Sequence, residues 1–173
     1  MEQNINYKDW TENILPLVKK YFTGMVDKGG HPYIEHLYNV ANKAKKLSEN
    51  LGYNQFKVNQ IYIVGWLHDI LEDTPCTKQE LIDIGCDEEI VEAILAITRN
   101  PEEEKYFDFI KRVKMNPIAR LVKIADLENN MDITRLNKFG EYEKNRLMKY
   151  WYSRKYLIDE FTEEQCSQIK DMK

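Results

Sequence analysis

The stretch GWLHDILEDTP, residues 65–75, places a histidine and three carboxylates inside what otherwise has the composition of a buried helix. From Ile61 to Leu71 the residues are apolar nearly all round, which is typical of a central helix covered on every side. Ionised carboxylates are costly in such surroundings unless they are paired, hydrogen-bonded or bound to a cation. Because no Lys or Arg lies between Lys57 and Lys78, a bound divalent metal is the simplest way to resolve the conflict.

Helical spacing divides the four ionisable residues of this stretch into two pairs. His68 and Glu72 are four residues apart, as are Asp69 and Asp73, so each pair shares a face of a continuous helix. Neutral imidazole and carboxylate oxygen are suitable ligands for a borderline or hard divalent cation. We therefore expect His68 and Asp69 to supply two ligands.

Two similar groups occur far from this stretch in the sequence. His36 lies early on a predicted second helix, and Asp126 lies in the middle of the apolar segment IARLVKIADLENNMDI, residues 118–133. Both are set among apolar residues, where an ionisable group needs a partner. They complete a candidate ligand set of the form His, His-Asp, Asp.

The fold class predicted for the chain is all-α. Apolar residues recur at spacings of three and four, and no run reads convincingly as a strand. Thr77 with Glu80 forms a capping box, and Asp87 is a good N-cap for the next helix. Glu102 to Glu104 suit a first helical turn after Pro101. The predicted helices cover about residues 7–26, 32–50, 55–73, 78–84, 88–98, 102–115, 118–133 and 141–160.

Composition restricts the class of protein and of partner. A chain of 173 residues can bury one core, and we expect a single domain over residues 1–173. The net charge of −4 gives no broad basic field, so a small ligand is expected rather than a nucleic acid. No window is apolar enough to cross a membrane and no secretion signal is present, which predicts the cytoplasm. Three widely spaced cysteines predict free thiols, and a homo-oligomer is left open.

A distant histidine, a His-Asp pair on a central helix and a late aspartate together resemble the signature of the HD superfamily of metal-dependent phosphohydrolases. The resemblance implies an HD-domain helical bundle, with its motifs within about residues 27–135 and a C-terminal helix at about 141–160. It also implies one divalent ion, for which we favour Mn²⁺ while Fe²⁺, Zn²⁺, Mg²⁺ and Co²⁺ stay open. The implied ligands are His36, His68, Asp69 and Asp126.

Three blocks are similar to one branch of that superfamily, the hydrolase domain of the RelA/SpoT family. They are DKGGHPYIEHLYNVA at 27–41, GWLHDILEDT at 65–74 and RLVKIADLENNMD at 120–132. Members of the branch remove pyrophosphate from the 3′ position of guanosine tetra- and pentaphosphate. The resemblance therefore implies a small stand-alone hydrolase that acts on a phosphorylated nucleotide.

The same resemblance assigns roles at the site. Glu72 and Asp73 are implied as the catalytic pair that orients or deprotonates a metal-bound water and helps to protonate the leaving group. Lys28, Asn130 and Arg135 are implied to face phosphate or sugar.

The chain also departs from the family pattern. The family usually places an arginine against the guanine ring, where this chain has Asp27. Leu127 and Asn129 replace an arginine and a histidine of the late block, and Asp132 replaces another arginine. Two alternatives thus stay open: an HD phosphohydrolase for another nucleotide or phosphate ester, and a metal-bound sensor or binding module that performs no catalysis.

Overall fold

The computed structural model describes the backbone of residues 7–166 and the side chains from residue 12 onward. The predicted domain therefore extends at both ends beyond the described residues. Within residues 7–166 there is no β-strand, and a single isolated bridge joins Val26 to Pro32. The all-α prediction is confirmed. The helices are α1 (Tyr7–Phe22), α2 (Tyr33–Asn50), α3 (Gln55–Leu67), α4 (Ile70–Asp73), α5 (Lys78–Asp83), α6 (Glu88–Ile97), α7 (Tyr106–Met115), α8 (Pro117–Asn130) and α9 (Glu141–Leu157), with a 3₁₀ turn at Ile133–Arg135.

Helix α3 is the central element, as its apolar sequence predicted. It packs against α1, α2, α6 and α8, so no side of it faces solvent along most of its length. Leu67, Val64 and Ile61 are fully buried on it. Each such aliphatic side chain contributes about 1.5–3 kcal/mol through removal from water, before the entropy of ordering is subtracted.

Helices α2 and α3 approach each other closely at Gly65. A Cβ atom at this position would lie 2.5 Å from the Cα of Ala41 on α2, which no real side chain tolerates. Glycine is therefore required by the neighbouring backbone, although glycine is otherwise unfavourable inside a helix. The close approach sets the separation of the two helices that carry His36 and His68.

The predicted continuous helix over residues 55–73 was wrong in one respect, because the chain leaves helical hydrogen bonding at His68 and Asp69. Nδ1 of His68 lies 2.8 Å from the carbonyl oxygen of Gly65 and donates to it. In an uninterrupted helix that carbonyl would accept from the N–H of Asp69. The imidazole competes for this acceptor, and the helix resumes as the short α4.

Local capping signals were more reliable than helix ends. The capping box of Thr77 with Glu80 and the N-cap at Asp87 are both present. The expected helix start at Glu102–Glu104 was wrong: residues 101–104 form a turn, and Glu104 instead accepts from Arg112 at 2.7 Å. The three cysteines are free, as predicted, and all three are buried. Among the described residues, no helix is both long and apolar enough to span a membrane.

Candidate metal centre and cavity

His68, at the end of α3, is fixed by the same hydrogen bond that interrupts the helix. Because a carbonyl oxygen only accepts, Nδ1 must carry the proton. Nε2 of His68 is buried and has no hydrogen-bond partner among the described residues. It lies 3.0 Å from Oδ2 of Asp69 and 3.7 Å from Oδ1 of Asp126. A buried imidazole nitrogen directed at two carboxylates needs a cation between them, either a proton or a metal ion.

His36, in the first turn of α2, is oriented in the same way by α8. Its Nδ1 lies 2.8 Å from Oδ1 of Asn129. Its Nε2 lies 3.5 Å from Oδ2 of Asp69 and 3.4 Å from Oδ1 of Asp126. The structure thus brings together the four residues of the candidate ligand set from three separate parts of the chain.

Donor atoms of His36, His68 and Asp69 lie within 4.8 Å of one another, which is compatible with one ion. Oδ1 of Asp126 faces the same point from α8, at the distances to the imidazoles given above. Nitrogen and oxygen donors of this kind suit Mn²⁺, Fe²⁺ or Zn²⁺. The residues therefore fit a divalent metal ion.

The charges of this cluster are strongly coupled. Burial acts to lower the pKa of His36, but contacts with Asp126 and Asp69 outweigh it and raise the pKa to about 9. Burial likewise opposes the charge of His68, and the nearby Asp69 outweighs it, so the pKa rises to about 10. Burial would raise the pKa of Asp69, yet the imidazole of His68 holds it well below its usual value. The carboxylates of Asp69 and Asp126 therefore create a field that favours a cation, either a proton on each imidazole or a metal ion.

Lys123 on α8 supplies the basic partner that the sequence around residues 65–75 lacks. Its Nζ lies 2.8 Å from Oδ2 of Asp126, and Nδ2 of Asn130 lies 2.5 Å from the other oxygen. Burial opposes the charges, but their mutual attraction raises the pKa of Lys123 and keeps the pKa of Asp126 low. Lys123 and Asp126 are three residues apart on one helix, a spacing that predicts contact between the two side chains.

Glu72 and Asp73 lie on α4 at the edge of the cluster. Oε2 of Glu72 accepts from the backbone N–H of Arg99 at 2.9 Å. Oδ2 of Asp73 and Oδ2 of Asp69 are 2.7 Å and 2.8 Å from the hydroxyl of Tyr33, which can donate to one of them at a time. Partial burial raises the pKa of both Glu72 and Asp73. Tyr33 was not predicted as a site residue.

The cluster opens into a cavity of about 480 Å³. Helix α9 contributes Arg146 and Tyr150 to its wall, neither of which was predicted from sequence. Nε of Arg146 is buried without a hydrogen-bond partner among the described residues. The predicted contacts Lys28 and Asn130 both line the cavity.

Arg135, the third predicted substrate contact, also lines the cavity, but its side chain is bound to other residues of the protein. Its guanidinium binds the carboxylate of Asp27 and the side-chain oxygen of Asn129. Its role as a substrate contact stays a prediction.

Comparison with known proteins agrees with this geometry. The family model of the HD domain matches residues 33–131, more than half of the chain. A solved structure described as a metazoan ortholog of SpoT that hydrolyzes ppGpp superposes with a TM-score of 0.70 at 15% identity, covering 98% of this chain and 96% of that one. No curated protein matches significantly. The chain therefore belongs to the HD domain family, the superfamily of metal-dependent phosphohydrolases that its sequence motifs resemble.

Proposed function

We propose that this chain hydrolyses a phosphorylated nucleotide with one bound divalent ion, and that its substrate is guanosine 3′,5′-bis(diphosphate), from which it removes the 3′-pyrophosphate. The observation that carries the proposal is the convergence of two imidazole Nε2 atoms and two carboxylates beside a cavity that also presents Glu72 and Asp73. That arrangement combines a cation site with two carboxylates suited to acid–base chemistry in one solvent-accessible space.

His36, His68, Asp69 and Asp126 are the residues proposed to hold the ion, and Mn²⁺ is the ion we favour. When bound, such an ion polarises a phosphoryl oxygen and lowers the pKa of a water molecule in its coordination sphere. Lys123 neutralises part of the charge of Asp126, so the ligand set does not carry its full negative charge.

Glu72 and Asp73 are proposed as the groups that handle protons. Their pKa values are raised above those of ordinary carboxylates, in the direction of neutral pH. This suits a group that accepts and later returns a proton. The backbone N–H of Arg99 holds the Glu72 carboxylate in place, and the Tyr33 hydroxyl holds Asp73. In this scheme one carboxylate orients the attacking water while the pair supplies a proton to the leaving 3′ oxygen.

The basic side chains of the cavity support a substrate with more than one phosphate group. Lys28, Lys123 and Arg146 line it from three different segments. An unpartnered buried Nε on Arg146 is a donor that a phosphate oxygen satisfies. The solved relative is described as hydrolyzing ppGpp, and its likeness in fold favours the same class of ligand here.

A second candidate is hydrolysis of a different nucleotide or phosphate ester. Asp27 favours this candidate. Both oxygens of its carboxylate are hydrogen-bonded within the protein, and the side chain lacks the planar positive charge that an arginine would stack on a guanine ring. A metal-bound sensor without turnover is the candidate from another class. The cytoplasmic location and the absence of a nucleic-acid partner stay predictions.

A substrate panel tests these proposals. Purified protein with Mn²⁺ would be incubated with 3′-pyrophosphorylated guanosine and adenosine nucleotides and with ordinary mono-, di- and triphosphates, and products would be separated by anion exchange. We expect pyrophosphate and guanosine 5′-diphosphate from guanosine 3′,5′-bis(diphosphate), with no release in chelator. Faster turnover of another nucleotide would select the second candidate. Metal binding without any turnover would select the sensor.

A further inference from the structure

A chain of polar contacts runs from the loop before α2 to the imidazole of His36. Asp27 binds Arg135 through Oδ2, Arg135 binds the side-chain oxygen of Asn129, and that oxygen lies 2.8 Å from Nδ1 of His36. The link therefore connects residues 27–36 with residues 129–135, two stretches that are far apart in sequence. The side chains of Asp27 and Arg135 are only 16% and 18% exposed, so water competes weakly for their ion pair.

This chain of contacts fixes the proton on His36. A guanidinium only donates hydrogen bonds, so the atom of Asn129 that faces Arg135 must be the amide oxygen rather than the nitrogen. The same oxygen faces His36, where it can only accept, so Nδ1 of His36 carries a proton. In the neutral imidazole that binds a metal ion, the lone pair is then on Nε2, which faces Asp69 and Asp126. Without Arg135, a rotated Asn129 amide could donate to Nδ1 and favour the wrong tautomer.

The loop that carries Asp27 is built to keep this carboxylate in place. Its Oδ1 accepts from the backbone N–H groups of Gly29 and His31 at 2.8 Å and 2.9 Å. A Cβ at Gly29 would lie 2.3 Å from the carbonyl oxygen of Arg135, so only glycine allows the two segments to come this close. Nδ2 of Asn137 donates to the carbonyl of Gly29 at 2.8 Å and closes the contact from the other side.

We propose that Asp27, Arg135 and Asn129 are positioning residues that hold His36 in the tautomer and orientation needed to bind the metal ion. The inference rests on the proposed function in taking His36 as a ligand. It assigns Arg135 to positioning the metal-binding residue His36 rather than to contacting the substrate. It also explains why a carboxylate suits position 27 of this chain. Groups that orient a metal-binding imidazole typically contribute about 10- to 100-fold to metal affinity.

The test is a set of Mn²⁺ titrations by calorimetry on folded, metal-free protein. Asn129→Leu removes the acceptor and should weaken binding by about 10- to 100-fold, whereas Asn129→Asp keeps an acceptor for both neighbours and should stay within about threefold of wild type. Asp27→Asn keeps the bonds to the loop backbone, loses the ion pair and should weaken binding by about 3- to 10-fold. In the Asn129→Leu background, Asp27→Asn should change affinity by less than about twofold, because the link is already broken.

A spectroscopic measurement addresses the tautomer directly. The chain has three histidines, so ¹⁵N-histidine labelling of the Zn²⁺-loaded protein gives a simple spectrum. We expect a protonated Nδ1 on His36 in wild type and Asn129→Asp, and rapid exchange of that proton in Asn129→Leu.

Two results would overturn the inference while the proposed function stands: Asn129→Leu binding Mn²⁺ as wild type does, or an equal effect of Asp27→Asn in both backgrounds. Folded wild-type protein that binds no divalent ion would overturn the proposed function and this inference with it.

Discussion

Nζ of Lys123 lies 2.8 Å from Oδ2 of Asp126 in a nearly buried ion pair on α8. Removing one partner of such a pair leaves the other charged and desolvated, which costs about 3–5 kcal/mol. We therefore expect Lys123→Met to lower the free energy of unfolding of the metal-free protein by about that amount, as measured by urea denaturation. Added Mn²⁺ should restore more stability to this variant than to wild type, because the ion replaces the missing positive charge.

The control for this prediction is Lys57→Met. Lys57 pairs with Glu89 at the surface, at 2.8 Å, where a salt bridge contributes about 1 kcal/mol or less. Equal losses in the two variants would show that the Lys123 pair has no special role at the site.

Gly65→Ala tests the close approach of α2 and α3. In an ordinary helix interior this substitution stabilises by about 1 kcal/mol. Here the new Cβ would overlap the backbone of Ala41, so we expect a loss of about 1–3 kcal/mol instead. Because the same approach places the His36 and His68 rings 5.3 Å apart, metal affinity should fall as well. An increase in the thermal midpoint would contradict the packing described for these helices.

Glu72→Gln combined with Asp73→Asn tests the acidic pair. Loss of positioned acid–base groups lowers rates by about 10²- to 10⁴-fold, and we expect turnover to fall in that range while one ion per chain remains bound. Turnover is measured by product release and metal content by elemental analysis after dialysis. Glu92→Gln, an exposed change on α6 away from the cavity, is the matched control. Unchanged turnover in the double variant would exclude these carboxylates from the reaction.

Glu80 provides a prediction for acid stability. Its hydrogen bonds with Lys20 and Tyr21 lower the pKa of Glu80 from 4.5 to about 2. A lowered carboxyl pKa stabilises the folded state above pH 4.5, and this contribution is lost as the pH falls toward 2. Glu80→Gln should therefore be less stable than wild type at pH 7, with the difference vanishing near pH 2, while the capping box with Thr77 is retained. A difference independent of pH would contradict this assignment.

The sequence predicted the helices well where the signal is local, and the structure brings the four candidate ligands together. Apolar periodicity and helix caps depend on neighbouring residues, so α3, α5 and α6 could be predicted. His36 and Asp126 were selected because each is an ionisable residue in an apolar segment, and their proximity to His68 and Asp69 appears only in the tertiary fold. The interruption at His68 could not, because it depends on a side chain competing for a backbone carbonyl. Nor could Tyr33 and Arg146 be placed, since their contacts join segments that only the tertiary fold brings together.

The decisive experiment for the proposed activity is to follow pyrophosphate release from guanosine 3′,5′-bis(diphosphate) while Mn²⁺ is titrated into metal-free protein. We expect no release without metal and a rate that rises to a plateau as one tightly bound ion per chain is reached. Release that is unaffected by chelator, or no release at any Mn²⁺ concentration with the site loaded, would contradict the proposed metal-dependent hydrolysis.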